Sequence, residues 1–169
     1  MESRKKYVDA VVITGGEPCM HKELPKFLSK LKERGFMVKL DTNGCFPNVL
    51  EECLPYVDYV AMDVKTSPEK YKLLGTTDTA NIMRSIELLK TGEVPYEFRT
   101  TICPEIVTEK DMAAIGEMVK GTKTLALQQF IPNDTLDKRF KTIKPYAPEK
   151  LQEFADTLKK SADTVLLRL

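Results

Sequence analysis

The stretch that decides the fold is Tyr7-Val8-Asp9-Ala10-Val11-Val12-Ile13-Thr14-Gly15-Gly16-Glu17-Pro18, a β-branched run that ends in two glycines and a proline. The run favours a β-strand, and the glycines favour a sharp turn out of it. A segment of helical period then follows over Lys22–Arg34. The order of strand, glycine turn and helix predicts one unit of a parallel α/β fold.

This alternation continues along the whole chain. Short β-branched or aromatic runs alternate with longer segments of helical period, which is typical of a parallel sheet. The predicted strands are Tyr7–Thr14, Phe36–Leu40, Tyr56–Met62, Tyr96–Ile102, Thr124–Phe130 and Thr164–Arg168. The predicted helices are Lys22–Arg34, Asn48–Cys53, Thr79–Lys90, Glu109–Lys120 and Pro148–Lys160. We expect one domain over residues 1–169, a partial, open parallel β/α barrel of about six strands.

Two helices carry signals for their ends and buried faces. The first is expected to end at Gly35, a residue suited to a left-handed cap. The fourth is expected to begin at the N-cap Thr108, with Asp111 three residues on. The predicted buried faces are Leu24, Phe27, Leu28 and Leu31 in the first helix and Ile115, Met118 and Val119 in the fourth.

The composition excludes several classes of function. With 26 basic and 25 acidic residues the net charge is +1, so charge gives no reason to predict binding to nucleic acid or membrane. No apolar run reaches the roughly 18 residues that a membrane span needs. The polar start Met1–Lys6 is not typical of a signal peptide. We therefore expect a cytoplasmic protein.

The four cysteines form no recognisable ligand motif. Cys19, Cys45, Cys53 and Cys103 are 26, 8 and 50 positions apart, which matches no zinc, redox or cluster spacing. Scattered free thiols are typical of a reducing compartment. We interpret these cysteines as packing residues or bystanders.

Polar side chains are concentrated where the predicted strands end, which is where parallel α/β folds form ligand sites. The first three strands lead into Gly15-Gly16-Glu17-Pro18, Asp41-Thr42-Asn43-Gly44 and Asp63-Val64-Lys65, while the fourth carries Arg99 and Thr101 and the fifth Gln128 and Gln129. Five consecutive strands thus deliver polar groups to one end of the sheet. The set is typical of a site for a zwitterion with hydroxyl groups.

The first two loops each have two readings. Gly15-Gly16 can present backbone to an amino-acid headgroup, with Glu17 accepting from its ammonium, or can form only a tight turn before Pro18. The Asp41-Thr42-Asn43-Gly44 segment can bind a ligand or form an ordinary Asn-Gly turn.

The charged residues of the third and fourth strands also have two readings. Asp63 and Lys65 lie two positions apart, so on extended backbone they point to one side, toward a ligand or into a local ion pair. Arg99 either faces inward, where its guanidinium needs an anion such as a ligand carboxylate, or lies on a solvated outer face.

Three motifs in order resemble the radical S-adenosylmethionine (SAM) superfamily, in particular its branch that activates glycyl-radical enzymes. They are Gly15-Gly16-Glu17-Pro18, Asp41-Thr42-Asn43-Gly44 and Ala61-Met62-Asp63-Val64-Lys65. Gln128-Gln129-Phe130, Leu136-Asp137 and Val165-Leu166-Leu167-Arg168 are similar to activating proteins of anaerobic ribonucleoside-triphosphate reductase. Phe130-Ile131-Pro132 replaces a proline-tyrosine-histidine ending of pyruvate formate-lyase activators, which disfavours that target.

The resemblance implies roles for individual residues. Gly15, Gly16 and Glu17, followed by Pro18, would hold the methionyl ammonium of SAM. Lys65 and Arg99 would lie near its carboxylate or the substrate and are the candidate catalytic residues. Asp41, Thr42 and Asp63 match positions where a monovalent cation can lie beside the methionyl group, and Asn43 and Gln128 complete the predicted cofactor-binding set.

The resemblance also implies a 4Fe–4S cluster, held by a CxxxCxxC loop after a first strand. That loop would precede Gly15 by tens of residues, and 14 residues stand there. We therefore expect a fragment that lacks the first strand and cluster loop, binds no cluster and is inactive alone. The implied activity of the complete enzyme is to generate a 5′-deoxyadenosyl radical that forms a glycyl radical on a partner, anaerobic ribonucleoside-triphosphate reductase, with flavodoxin or ferredoxin as electron donor.

Two alternatives remain open. One is a catalytically silent module that binds SAM, a nucleoside or a partner protein. The other is a barrel lyase in which Lys65 forms a Schiff base, assisted by Asp63 and Arg99.

Overall fold

The strands of the computed structural model, which describes residues 7–132, 135 and 137–169, agree with the predicted pattern. They are Ala10–Ile13 (β1), Met37–Thr42 (β2), Tyr59–Asp63 (β3), Tyr96–Ile102 (β4), Thr122–Gln129 (β5) and Ala162–Arg168 (β6). They form one open parallel sheet in the order β1-β2-β3-β4-β5-β6. The predicted α/β class with an open six-stranded parallel sheet is confirmed.

Within the described residues, five α-helices connect these strands, and the predicted end of the first and start of the fourth follow the sequence signals. They are Leu24–Glu33 (α1), Pro47–Cys53 (α2), Thr79–Thr91 (α3), Glu109–Met118 (α4) and Pro148–Leu158 (α5). Gly35 has a left-handed backbone, with φ of 75°, and its N–H donates a hydrogen bond to the Lys32 carbonyl. Thr108 and Asp111 form the reciprocal capping box at the start of α4.

The prediction that Phe27 belongs to the buried face of α1 is wrong. Leu24, Leu28 and Leu31 are buried, but Phe27 is 44 % exposed. Phe27 lies one position before Leu28, about 100° round the helix from it, so the apolar face is narrower than the sequence suggests. The predicted face of α4, with Ile115, Met118 and Val119, is buried as expected.

The chain divides into two compact units, and the first comprises Met1–Asp63 and Asp78–Tyr96. Here β2 pairs in parallel with β1 and β3, with Leu40 in register with both Ile13 and Val60. The largest fully buried side chains of this unit are Leu28, Leu31, Leu40, Leu50, Met62, Ile82, Ile86 and Leu89.

The second unit comprises Val64–Thr77 and Glu97–Leu169. In this unit β5 pairs in parallel with β4 and β6. Its fully buried side chains include Phe98, Ile102, Met112, Ile115, Leu125, Leu127 and Leu151. The expectation of one domain over the whole chain stays a prediction.

Two sequence features fall wholly or partly outside the described residues. The polar start Met1–Lys6 and Leu136 of the Leu136-Asp137 motif are among the residues that the structure does not describe. Within the part that it does describe, no helix combines the length and apolarity that crossing a bilayer requires.

Candidate functional site

The loop after β1 begins with two glycines, and these have different roles. Gly15 has φ of 128°, a backbone conformation that other residues rarely adopt, whereas Gly16 does not have a positive φ. A Cβ atom built at either position would meet nothing within 4 Å. The turn therefore requires glycine at position 15, while at Gly16 the absence of a side chain keeps space open beside the backbone.

Glu17 connects this loop to the loop after β2. Its Oε1 accepts hydrogen bonds from the Cys19 N–H at 3.0 Å and the Thr42 hydroxyl at 2.8 Å, and its Oε2 accepts from the Asn43 N–H at 2.6 Å. A carboxylate has about four acceptor positions, so these three bonds leave capacity for one further donor. The predicted ligand residue is thus also the structural link between two predicted ligand loops.

The loop after β2 is a tight turn around Gly44. Gly44 has φ of 76°, and a Cβ there would lie 2.1 Å from Met62 Cε. The turn is stabilised by the Asn43 side chain, which accepts from the Cys45 N–H at 2.9 Å, and by the Ser85 hydroxyl, which donates to the Gly44 carbonyl at 2.8 Å. The left-handed backbone therefore favours glycine at position 44, and an added Cβ would also force the end of the Met62 side chain to move.

The predicted cation ligands of the first unit are engaged with protein groups. Asp41 forms an ion pair with Lys39, two positions back on the same face of β2. The Lys39 ammonium thus supplies the positive charge beside Asp41. The Thr42 hydroxyl donates to Glu17 and accepts from the Gly44 N–H at 3.1 Å. Asp63 ends β3 and is half-buried.

In the second unit, Lys65 lies on a segment held by partly buried hydrogen bonds. Its backbone N–H donates to the Tyr71 hydroxyl at 3.1 Å, and Tyr71 is buried. The next residue, Thr66, donates to the Ile106 carbonyl at 2.7 Å. The Lys65 side chain is exposed, and it lines a cavity of about 440 Å³. The other lining residues are Leu74, Thr101, Cys103, Ile106, Phe130, Thr135, Asp137 and Phe140.

Asp111 anchors the same segment onto the start of α4. It accepts from the Ser67 hydroxyl and the Lys70 ammonium, both at 2.6 Å, and from the N–H and hydroxyl of Thr108 at 2.9 and 2.7 Å. Burial alone would raise the pKa of Asp111, but these hydrogen bonds outweigh it and hold that pKa well below its usual range.

Arg99 and Gln128 lie on strands whose register is defined. Glu97, Arg99 and Thr101 alternate along β4, so they share one face of that strand. Thr101 is in register with Gln128 of β5, which is in turn in register with Arg168 of β6. Arg99 is half-buried, as expected for a side chain on a partly covered face.

This region contains an ion pair that the sequence analysis missed. Arg168 donates through Nη1 to Glu97 Oε1 at 3.0 Å and through Nη2 to Glu97 Oε2 at 2.6 Å. Glu97 lies within a predicted strand with no role assigned to it, and Arg168 enters only as the last residue of the Val165-Leu166-Leu167-Arg168 motif. An acidic residue within a strand-forming run, two positions before Arg99, was the available signal, but its partner lies 71 positions away and depends on strand register.

The cysteines do not fit an iron–sulfur cluster. Hydrogen bonding to Cys53 and burial raise the pKa of Cys19, and both thiols are fully buried. Burial raises the pKa of Cys103 to about 11. Among residues 7–132, 135 and 137–169, no three His, Cys, Asp or Glu side chains are grouped so as to hold a metal ion. The described thiols therefore provide no set of three thiolate ligands.

Comparisons with known proteins identify the family to which this chain is similar. The family model of the radical SAM superfamily matches residues 1–119. A Methanocaldococcus jannaschii protein, whose name assigns it as a glycyl-radical enzyme activating enzyme, is 38 % identical over 171 residues, covering 96 % of this chain and 71 % of the relative. A 7-carboxy-7-deazaguanine synthase from Thermococcus kodakarensis is 26 % identical, over 72 % of this chain and 48 % of its own length.

A solved structure supports the fold. A domain of pyruvate-formate lyase-activating enzyme from Bacteroides vulgatus superposes with a TM-score of 0.73 at 19 % identity, covering 92 % of this chain and 97 % of that domain. The chain belongs to the radical SAM superfamily. The predicted membership, and at family level the predicted kinship with enzymes that activate glycyl-radical enzymes, are confirmed. The superfamily implies SAM and a 4Fe–4S cluster as cofactors.

Proposed function

We propose that this chain is the SAM-binding part of a radical SAM enzyme that activates a glycyl-radical enzyme. The observation that carries the proposal is the loop after β1, where Gly16 borders open space and Glu17 is oriented by two loops while retaining acceptor capacity. The ammonium of an amino acid needs such acceptors, and the methionyl end of SAM carries an ammonium. The name of the Methanocaldococcus jannaschii relative supports a glycyl-radical enzyme as the protein acted upon.

The roles of the chain's residues in this proposal are binding and orientation. Gly15, Gly16 and Glu17, followed by Pro18, hold the methionyl ammonium. Lys65 and Arg99 bind the carboxylate of SAM, because cations suit that group. Asn43 and Gln128 add polar contacts to the cofactor.

The predicted cation site is part of the proposal. Asp41, Thr42 and Asp63 offer hard oxygen ligands, which suit a monovalent cation beside the methionyl group. Because Asp41 is paired with Lys39, the cation would take the place of the Lys39 ammonium at that carboxylate.

The partner protein, the electron donor and the location are also proposals. Val165-Leu166-Leu167-Arg168 and Gln128-Gln129-Phe130 resemble motifs of activating proteins of anaerobic ribonucleoside-triphosphate reductase, and we propose that reductase as the partner. We also propose flavodoxin or ferredoxin as the electron donor and the cytoplasm as the location. Because the described cysteines do not fit a cluster, we assign no step of the radical chemistry to this chain and expect it to be inactive alone.

The test is calorimetry of SAM binding to the chain and to its Lys65→Met variant. We expect the variant to bind roughly tenfold more weakly, because a charge-assisted contact is lost. Lys72→Met, on the same segment and also exposed, is the matched control and should bind like the wild type. Equal affinity of all three proteins would remove Lys65 from the site, and no binding by the wild type would refute the proposal.

Two further experiments separate the alternatives. A silent binding module would bind SAM or a nucleoside but form no glycyl radical on any partner when the complete enzyme is assayed. A Schiff-base lyase would give a reduced adduct on Lys65 after borohydride treatment with a carbonyl compound. Absence of that adduct at every pH tested would exclude the lyase.

A further inference from the structure

The loop after β4 contains a turn that is strained at Glu105. Among the residues that the structure describes, Glu105 is the one residue other than glycine with a positive φ, at 75°. A side chain is strained in this left-handed conformation, because its Cβ lies close to the following carbonyl oxygen. Glu105 is exposed, so burial of its side chain does not offset the strain. Such a conformation persists only where neighbouring groups hold the backbone in place.

The Lys70 ammonium holds this turn from outside the loop. It donates to the Glu105 carbonyl at 3.1 Å and to the Ile106 carbonyl at 3.4 Å. A third hydrogen bond, of 2.6 Å, joins it to Asp111 Oδ2, and the Asp111 side chain is 5 % exposed. An ammonium has three N–H donors, one for each of these acceptors. Lys70 is therefore fixed between the strained turn and a buried carboxylate.

Other hydrogen bonds hold the loop beyond the strained residue. The Thr66 hydroxyl donates to the Ile106 carbonyl at 2.7 Å, and the Tyr146 hydroxyl donates to the Val107 carbonyl at 3.1 Å. Lys70, by contrast, bonds the carbonyl of Glu105 itself. Hydrogen bonds from an ammonium and the strain of one left-handed residue are of the same order in free energy. Loss of the Lys70 ammonium is therefore sufficient to let the turn relax at Glu105.

The turn forms part of the wall of the cavity in the second unit. Cys103 and Ile106 lie on either side of Pro104 and Glu105, and both line the cavity of about 440 Å³ that Lys65 also lines. Because peptide groups are planar, a change of φ at Glu105 reorients the chain on one side of it relative to the other. The shape of this wall thus depends on the left-handed conformation of Glu105.

We infer that Lys70 is a positioning residue, which holds Glu105 in its strained conformation and thereby shapes the cavity for the ligand. The inference rests on the proposed function, in which Lys65, at the same cavity, binds SAM. Lys70 itself does not touch the ligand. Its effect on binding passes through the backbone of Glu105, so a glycine at position 105 should make the lysine dispensable for binding.

The first test needs no ligand. The crystal structure of the Lys70→Met variant should show Glu105 with a negative φ and Ile106 displaced from the cavity wall. A Glu105 that keeps its positive φ would overturn the inference. If that variant does not fold, because Asp111 is left as a buried charge without its ammonium, Lys70→Met/Asp111→Asn removes both charges and has the same two outcomes.

The second test is calorimetry of SAM binding together with urea denaturation. Lys70→Met should bind SAM roughly tenfold more weakly, because the turn relaxes by about the strain of one residue. Lys70→Met/Glu105→Gly should recover the affinity, since glycine adopts a positive φ without strain. Its unfolding midpoint should stay below that of the wild type, because Asp111 still lacks its partner. Lys72→Met, exposed on the same segment, is the control and should match the wild type in both measurements.

The outcomes separate this inference from the proposed function. Unchanged SAM affinity in Lys70→Met, or no recovery of affinity in a folded Lys70→Met/Glu105→Gly protein, would refute the inference and leave Lys70 a purely structural residue. Recovery of affinity without recovery of stability would support it, because a structural role alone would move both together. If the wild type binds no SAM, the proposed function fails, and the crystal structure of the variant still decides whether Lys70 holds the turn.

Discussion

At the scale of single residues, the glycines of the β1 loop separate what folding requires from what binding requires. Gly15 has the positive φ of 128°, and Gly16 does not have one. A Cβ atom added at either glycine would meet no other atom within 4 Å. An added side chain at Gly15 therefore strains the backbone, whereas one at Gly16 only fills the space beside it.

This contrast predicts different defects for Gly15→Val and Gly16→Val. Gly15→Val should lower the free energy of unfolding by roughly 1 to 3 kcal/mol, because a β-branched residue is strained at that φ. Gly16→Val should leave stability nearly unchanged and weaken SAM binding. Denaturant unfolding and calorimetry measure the two effects. Unchanged SAM affinity in a folded Gly16→Val protein would place the site elsewhere.

Gly44 predicts a purely structural defect. A Cβ there would combine a left-handed backbone, with φ of 76°, with a distance of only 2.1 Å to Met62 Cε, so the buried Met62 side chain would have to move. Gly44→Ala should cost roughly 2 to 5 kcal/mol, the sum of backbone strain and overpacking. Gly121→Ala is the control, because Gly121 has φ of 81° but a Cβ there meets nothing within 4 Å. It should lose only about 1 to 2 kcal/mol. Equal losses in chemical denaturation would show that Met62 moves aside at no cost.

At the scale of elements, the segment that carries Lys65 is positioned by α4. Asp111, in the first turn of that helix, accepts from Ser67 and Lys70 of the segment as well as from its own N-cap Thr108. One carboxylate thus completes the helix cap and fixes the segment after β3. The backbone position of Lys65 is consequently tied to the integrity of a buried charge.

Asp111 predicts a pH-dependent stability. Its folded pKa lies below the unfolded value of about 3.9, so its contribution is present above that pH and is lost as the pH falls toward the folded pKa. Asp111→Asn should lower the unfolding free energy by roughly 3 kcal/mol at neutral pH, and the difference from wild type should shrink below about pH 4. Urea denaturation at several pH values measures this. Glu69→Gln, exposed on the same segment, is the control, and a difference independent of pH would contradict the assignment.

The elements also show how far local sequence patterns reach. Strand positions, helix positions and the caps at Gly35 and Thr108 were predictable, because period, glycine chemistry and the capping box act over a few residues. Phe27 was misplaced because spacing does not show how much of a helix face is covered. The Glu97–Arg168 pair was missed because register between strands distant in sequence creates it.

At the scale of the whole molecule, two comparisons define the family, a family model and a similar protein, while the partner stays a proposal. The family model matches residues 1–119, and the Methanocaldococcus jannaschii relative aligns with 96 % of this chain. The chain spans 71 % of that relative and 48 % of the Thermococcus kodakarensis synthase. Since relatives with two different names are similar to this chain, similarity alone does not identify the partner, which must be identified by experiment.

The four cysteines predict the outcome of iron–sulfur reconstitution of the 169-residue chain. Cys19, Cys53 and Cys103 are buried, and raised pKa values disfavour the thiolate at Cys19 and Cys103. Only Cys45 of the four is half-exposed. Reconstitution should therefore give no stoichiometric four-iron centre, because three thiolates on one cluster face are required. Iron analysis and visible absorption measure this, with Cys45→Ser as the control for iron bound at the accessible thiol. A stoichiometric cluster with its broad visible absorption would show that residues of this chain rearrange to supply the ligands.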